Sequence, residues 1–248
     1  MPVSHRPADQ RQLLAVASNT PLSATIWHGE DSHNGALPLL FLNGVAADNR
    51  LAASLLTRIA GRTLITLDMP GIGGTPDRMW PYSIADMAAA VVAAMAELGH
   101  DRFDLAGFSW GGAVAQEIAL AQHDAVRRLV LIATSPVLPA PGIGPATWMD
   151  ADVLSSGLRL TGTSLSGLAG QLMAAGGWSS VGALGAMRDV PTLVLGGSRD
   201  MVVPIAYPQW LGRLIPGAQL IEIDGAHLFA FRQADRVGPL IAAFLDAD

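Results

Sequence analysis

The chain has 248 residues, half of them hydrophobic and 15% charged, and a formal net charge of −6. That length and apolarity suffice for a sizeable single core, so disorder is excluded and one large α/β domain is accommodated. The acidic balance argues against nucleic acid as the main partner. All 15 basic residues are Arg and there is no Cys; Schiff-base or P-loop lysines, disulfides, thiolate nucleophiles and Cys-ligated metals are therefore excluded.

At the N-terminus, residues 1–19 carry Arg6, Asp9 and Arg11 and only a short apolar run from Leu13 to Ala17. That run is too brief for a secretory signal core, which predicts a cytoplasmic protein. The low-polarity stretches Met87 to Ala96 and Leu160 to Met187 are respectively too short and too rich in Gly, Ser and Thr to span a bilayer. From residue 38, short Leu-, Ile- and Val-rich runs alternate with helical patterns, the arrangement expected of a parallel sheet buried on both faces. The strands are predicted at Leu37–Leu42, Thr63–Asp68, Phe103–Ala106, Leu129–Thr134, Thr192–Gly196 and Gln219–Ile223, after an antiparallel strand at Thr20–Trp27. Helices are predicted at Arg50–Ala60, Ile84–Leu98, Gly111–Gln122, Tyr207–Leu214 and Gln233–Leu245, where apolar residues recur every three or four positions.

Residues 1–248 thus read as a single domain with one interruption, a lid or cap insertion at 136–188. That segment shows no clear strand, begins with Pro136, Pro139, Pro141 and Pro145, and lacks any charge from Leu160 to Met187. It is either a buried helical hairpin or a lid whose inner face meets an apolar substrate.

The strongest motif is Gly107-Phe108-Ser109-Trp110-Gly111-Gly112, between a predicted strand and a predicted helix. A serine raised on so sharp a turn needs small neighbours, and Gly stands two positions to either side. Serine is a weak nucleophile unless a base takes its proton and an acid orients that base. Asp200 follows the strand Thr192–Gly196 and His227 follows Gln219–Ile223, so acid and base come in the required order at the ligand-binding edge of the sheet. Asp200 could instead cap a turn, and Asp224 is a competing acid, disfavoured by its nearness to His227. The other histidines, His5, His28, His33, His100 and His123, lack metal-ligand spacing and read as surface residues. An oxyanion formed at Ser109 would need two N–H donors, assigned to Trp110 and to Val45 in the loop Asn43-Gly44-Val45-Ala46. The turn from Asp68 to Thr75 is glycine-rich, but no helix opens on its glycines, which argues against a phosphate site. Phe108 and Trp110 line the site or fill the core behind the elbow, with core packing the expectation for Phe108.

Together, Asn43-Gly44, the Asp68-to-Thr75 turn, the Ser109 elbow, Asp200 and His227 resemble the α/β-hydrolase superfamily across nearly the whole chain. Within it, Phe41-Leu42-Asn43-Gly44-Val45, Ser109-Trp110-Gly111-Gly112-Ala113, Gly177-Trp178-Ser179-Ser180 and His227-Leu228-Phe229 are similar to the intracellular depolymerases of medium-chain-length poly(3-hydroxyalkanoate). The segment 135–188 is shorter than that family's cap, and the acid loop has fewer Asp. The resemblance implies an α/β fold with a mostly parallel sheet and a serine triad needing no cofactor or metal. It also implies a substrate pocket drawing on Asn43, Gly44, Trp148, Met173, Trp178 and Leu228. The partner expected is a hydrophobic ester, at a polyester granule surface if the substrate is the polymer. A small-ester hydrolase, a lactonase, a carbon–carbon hydrolase, a cofactor-free haloperoxidase and a non-catalytic ligand-binding protein share the pattern, and the oligomeric state is left open. Haloalkane dehalogenases and epoxide hydrolases are disfavoured, since they carry Asp in place of Ser109.

Overall fold

The computed structural model describes residues 10–14, 21–29, 36–59, 61–78, 81–138 and 162–247. Strands β1 (Gln10–Leu14), β2 (Leu22–Trp27), β3 (Leu39–Leu42), β4 (Leu64–Asp68), β5 (Phe103–Phe108), β6 (Val126–Ile132), β9 (Thr192–Gly197) and β10 (Gln219–Ile223) form one sheet in the order β1-β2-β4-β3-β5-β6-β9-β10. The pairings β1–β2 and β2–β4 are antiparallel and all the others are parallel. Strands β3 to β6 and β9 are almost wholly buried, and mostly Leu, Ile, Val and Phe, because helices cover both faces.

Side-chain alternation along the strands sorts the core into two layers. Leu40 and Leu42 pack with α2 (Ile84–Glu97) and α3 (Trp110–Ala121) on one face. Leu39 and Phe41 pack with α1 (Asn49–Leu56), α6 (Phe229–Arg232) and α7 (Ala234–Asp246) on the other. Each fully buried Leu, Ile or Phe contributes roughly 1.5–3 kcal/mol. The remaining helices are α4 (Leu165–Ala175) and α5 (Ala206–Leu214). From β3 the chain moves to β4 on one side and then crosses to β5 on the other, so the loops after β3 and β5 flank a topological switch point.

The sequence reading requires corrections. Between residues 135 and 188, where no strand was expected, β7 (Val137–Leu138) and β8 (Trp178–Ser179) form an antiparallel ribbon. Two-residue strands carry too little periodicity to be recognised. β1 was also unexpected: its sequence Gln-Arg-Gln-Leu-Leu buries only Leu14 and lies at the sheet edge. The helix expected at Arg50–Ala60 runs from Asn49 to Leu56, where Thr57 caps it. That expected at Gln233–Leu245 starts at Ala234, with α6 folded separately before it.

Asp104 and Asp68 are carboxylates buried within this frame. Asp104 on β5 is fully buried and accepts hydrogen bonds from Arg62 Nη1 at 2.7 Å, Arg127 Nε at 2.8 Å and Arg127 Nη2 at 2.6 Å. Asp68 closes the glycine-rich turn after β4, taking the N–H of Asn49 at 3.1 Å and of Gly74 at 3.1 Å. Within that turn the N–H groups of Gly71, Ile72, Gly73, Gly74 and Thr75 all bond to protein acceptors, leaving no anion nest.

Burial pushes the Asp68 carboxyl up to about 6, outweighing the two N–H bonds that favour its charged form. A carboxyl whose pKa is raised in the folded state binds protons more tightly there than in the unfolded chain. Its stabilising contribution is complete below the unfolded value of 3.8 and is lost as pH rises through about 6. The difference corresponds to about 3 kcal/mol. Urea unfolding of wild type and Asp68→Asn between pH 4 and 7 is expected to show the wild type losing stability relative to the variant as pH rises. Parallel curves would contradict the shift.

Candidate active site

β5 ends at Phe108 and α3 begins at Trp110, leaving Ser109 between them at φ 52° and ψ −117°. A side-chain-bearing residue adopts that backbone only when its surroundings impose it. Here the Ser109 N–H donates to Ile132 O at 2.9 Å, and its carbonyl accepts from Gly112 N at 2.9 Å and from Thr134 Oγ1 at 2.7 Å. The neighbouring glycines permit the turn by lacking Cβ. A Cβ on Gly107 would stand 2.5 Å from Gly111 O, and one on Gly111 would run into the carbonyl oxygens of Leu42 and Asn43.

Ser109 Oγ lies 3.2 Å from His227 Nε2, and His227 Nδ1 lies 2.8 Å from Asp200 Oδ2. All three residues are buried. Asp200 Oδ1 accepts the N–H groups of Val202 at 2.8 Å and Val203 at 2.7 Å. Asp200 therefore caps its turn with one oxygen and holds the imidazole with the other. Because a carboxylate accepts at Nδ1, the proton resides there and Nε2 offers its lone pair to the serine hydroxyl. The Phe108 ring packs 5.0 Å from the imidazole and 4.8 Å from Phe231, fixing the ring from below. Such a chain can remove the hydroxyl proton and stabilise the resulting imidazolium. Asp224 is exposed and ion-paired with Arg199 at 2.9 Å, not with His227.

The loop after β3 abuts this elbow: a Cβ on Gly44 would meet the Phe108 ring at 3.0 Å and Ser109 Cβ at 3.3 Å. Val45 follows it in a turn closed by Ala47 N on Gly44 O at 3.3 Å. Trp110, as the first residue of α3, has an N–H with no partner inside the helix. Asn43 is buried, and neither polar atom of its side chain has a partner among the described residues. Leu228 is buried in the core beside His227.

Trp178 is placed elsewhere. Its indole N–H donates to Glu117 Oε2 at 3.0 Å, two helical turns beyond Trp110, about 10 Å along α3. Met173 is 62% exposed on α4, and Trp148 lies outside the described residues. Sequence reasoning passed over Thr134 and Gln171. Gln171 is a buried polar residue in an uncharged segment, and only tertiary contacts reveal it. Among the described residues no group of three His, Asp or Glu could hold a metal ion, and no helix is long and apolar enough to cross a membrane.

A mostly parallel sheet with both faces covered, carrying a Ser-Asp-His chain at its switch point, defines a class, and comparison with known proteins gives the same one. The family model for the alpha/beta hydrolase fold matches residues 38–172, and the chain belongs to that family. A poly(3-hydroxyalkanoate) depolymerase from Ectopseudomonas oleovorans is 30% identical over 85% of this chain and 85% of its own. Among solved structures, a hydrolase from Pseudomonas aeruginosa PA01 superposes with a TM-score of 0.84 at 22% identity, covering 97% of this chain and 100% of that one. The enol-lactonase from Burkholderia xenovorans LB400 superposes at 0.83 and 21% identity, covering 95% and 100%.

Proposed function

We propose that the protein is a serine carboxylic-ester hydrolase acting through an acyl-enzyme on a hydrophobic ester, with poly(3-hydroxyalkanoate) as its substrate. The observation that carries the reading is the continuous chain from Ser109 Oγ through His227 to Asp200. Ser109 Oγ attacks the ester carbonyl carbon while His227 Nε2 takes its proton. The oxyanion receives the N–H groups of Val45 and Trp110, and collapse expels the alcohol as His227 returns the proton. Water, deprotonated by the same imidazole, then releases the acid and regenerates Ser109. No cofactor or metal enters these steps.

The polyester assignment draws on the depolymerase relative and on two local features. Asn43 offers an unspent donor and acceptor beside the oxyanion loop, suited to a substrate that carries oxygen along its acyl chain. Residues 136–188 act as the lid, and Leu165, Leu172 and Met173 expose apolar surface on α4, which favours a hydrophobic chain over a charged one. In this reading the protein works in the cytoplasm at a polyester granule surface.

Hydrolysis of p-nitrophenyl esters from acetyl to dodecanoyl, together with release of 3-hydroxyacids from amorphous medium-chain polyester, tests the assignment. Polyester clearing with a medium-chain preference is expected. Short-chain hydrolysis without clearing would leave a small-ester hydrolase or lactonase, and no turnover of any ester would overturn the reading.

A further inference from the structure

Gln171 bonds both to the loop after β3 and to Trp110, the residue that follows Ser109. It lies on α4 and is only 1% exposed. Its side-chain Oε1 accepts the Ala46 N–H at 2.8 Å, and its main-chain carbonyl accepts the Trp110 indole N–H at 3.0 Å. Ala46 directly follows Val45, and Trp110 directly follows Ser109. α4 is itself anchored at its start, where Ser164 N donates to Gly71 O at 2.8 Å and Gly73 N donates to Gly162 O at 2.6 Å.

We infer that Gln171 is a positioning residue for the oxyanion hole, an inference that rests on the serine-hydrolase reading above. The warrant is the backbone of Ala46. In the turn Gly44-Val45-Ala46-Ala47 it occupies the third position at φ 58°, a place that ordinarily selects glycine because the second turn peptide is rotated over. Alanine holds that conformation against its own preference only when bonds on both sides fix it. Gln171 Oε1 takes the N–H, and Thr163 Oγ1 donates to the Ala46 carbonyl at 2.9 Å. The Val45 N–H belongs to the preceding peptide of the same turn, so its aim depends on the turn keeping this form. An N–H donor requires an acceptor opposite it, which fixes the orientation of the Gln171 carboxamide with its oxygen toward Ala46. An unbranched apolar side chain of the same length would leave that buried N–H unpaired and release the turn.

The test compares wild type, Gln171→Met and Thr163→Val by ester kinetics per titrated active site and by inhibition with a trifluoromethyl ketone. The tetrahedral adduct of such a ketone places its oxyanion in the hole. Losing a whole oxyanion donor costs about 100- to 1,000-fold in kcat, so misaiming one in Gln171→Met is expected to cost about 10- to 100-fold. KM should stay within about threefold, with ketone affinity falling in parallel with kcat, because the hole binds the tetrahedral state and not the ground state. Thr163→Val, a part-exposed site able to tolerate the change, is expected to fall in the same direction by about three- to tenfold. Unchanged kcat and ketone affinity in the folded variants, with only a lower unfolding temperature, would overturn the inference and leave Gln171 a packing residue. If wild type itself shows no Ser109-dependent ester turnover, the hydrolase reading has failed and this inference falls with it; if wild type turns over and Gln171→Met matches it, only the inference falls.

Discussion

Ser109→Ala is expected to lower kcat for any ester that the wild type hydrolyses by about six orders of magnitude, leaving a residue of activity over the uncatalysed rate from the oxyanion donors and binding alone. The loss is large because the proposed mechanism makes the hydroxyl the attacking atom, and His227 without it has no proton to take. His227→Ala should cost nearly as much, and the double variant no more than either single one, since base and nucleophile act as a unit. The geometry behind this is the 3.2 Å approach of Ser109 Oγ to His227 Nε2 and the 2.8 Å bond that holds Nδ1 on Asp200. Steady-state kinetics with protein of verified fold reads the effect. A Ser109→Ala variant within tenfold of wild type would mean that another group attacks the ester.

Asp104→Asn is expected to cost about 3–5 kcal/mol of stability, the range found when one member of a buried charge cluster is removed. Arg62, only 2% exposed, lies against this carboxylate and against Asp246, and Arg127 bonds to it through Nε and Nη2 while also reaching the Leu245 carbonyl at 2.7 Å. Asparagine keeps the shape but removes the negative charge that two guanidinium groups share, leaving the cluster one negative charge short with only Asp246 beside Arg62. The cost is a large share of the 5–15 kcal/mol typical of a folded domain. Urea denaturation measures it as a shift of the midpoint by about 1–2.5 M at a slope of about 2–3 kcal/mol/M. Asp104, on β5, lies five residues before Ser109, about 16 Å away by the rise of an extended chain, so the folded variant should keep its ester kcat. A cost below about 1 kcal/mol would show that the cluster contributes little.

The fold was legible because parallel strands buried on both faces read as short apolar runs, and β3, β4, β5, β6, β9 and β10 all lie where those runs fall. The order of Ser109, Asp200 and His227, each just past a strand, was legible because each of these hydroxyl, carboxyl and imidazole side chains occupies a turn bounded by a strand and a helix. β1 was not, because an edge strand with one buried residue has no alternation to detect. Asp104 reads as a stray charge in an apolar run until Arg62 and Arg127 are brought to it from other elements. Trp178, the most conspicuous side chain of its segment, bonds to Glu117 on the flank of α3, a partner 61 residues away in sequence that no local pattern announces. Gln171 shows the same limit in reverse: one amide in a run of Gly, Ala and Leu joins two loops, and only the folded chain shows it.

Covalent trapping addresses the proposed nucleophile directly. The folded protein is treated with a fluorophosphonate, digested, and the modified peptide located by mass spectrometry. Stoichiometric phosphonylation of Ser109 is expected, abolished in Ser109→Ala and strongly slowed in His227→Ala, because the reagent needs an activated hydroxyl to displace fluoride. Absence of label from Ser109 in active wild-type protein, or label on another residue that tracks the loss of activity, would contradict the assignment.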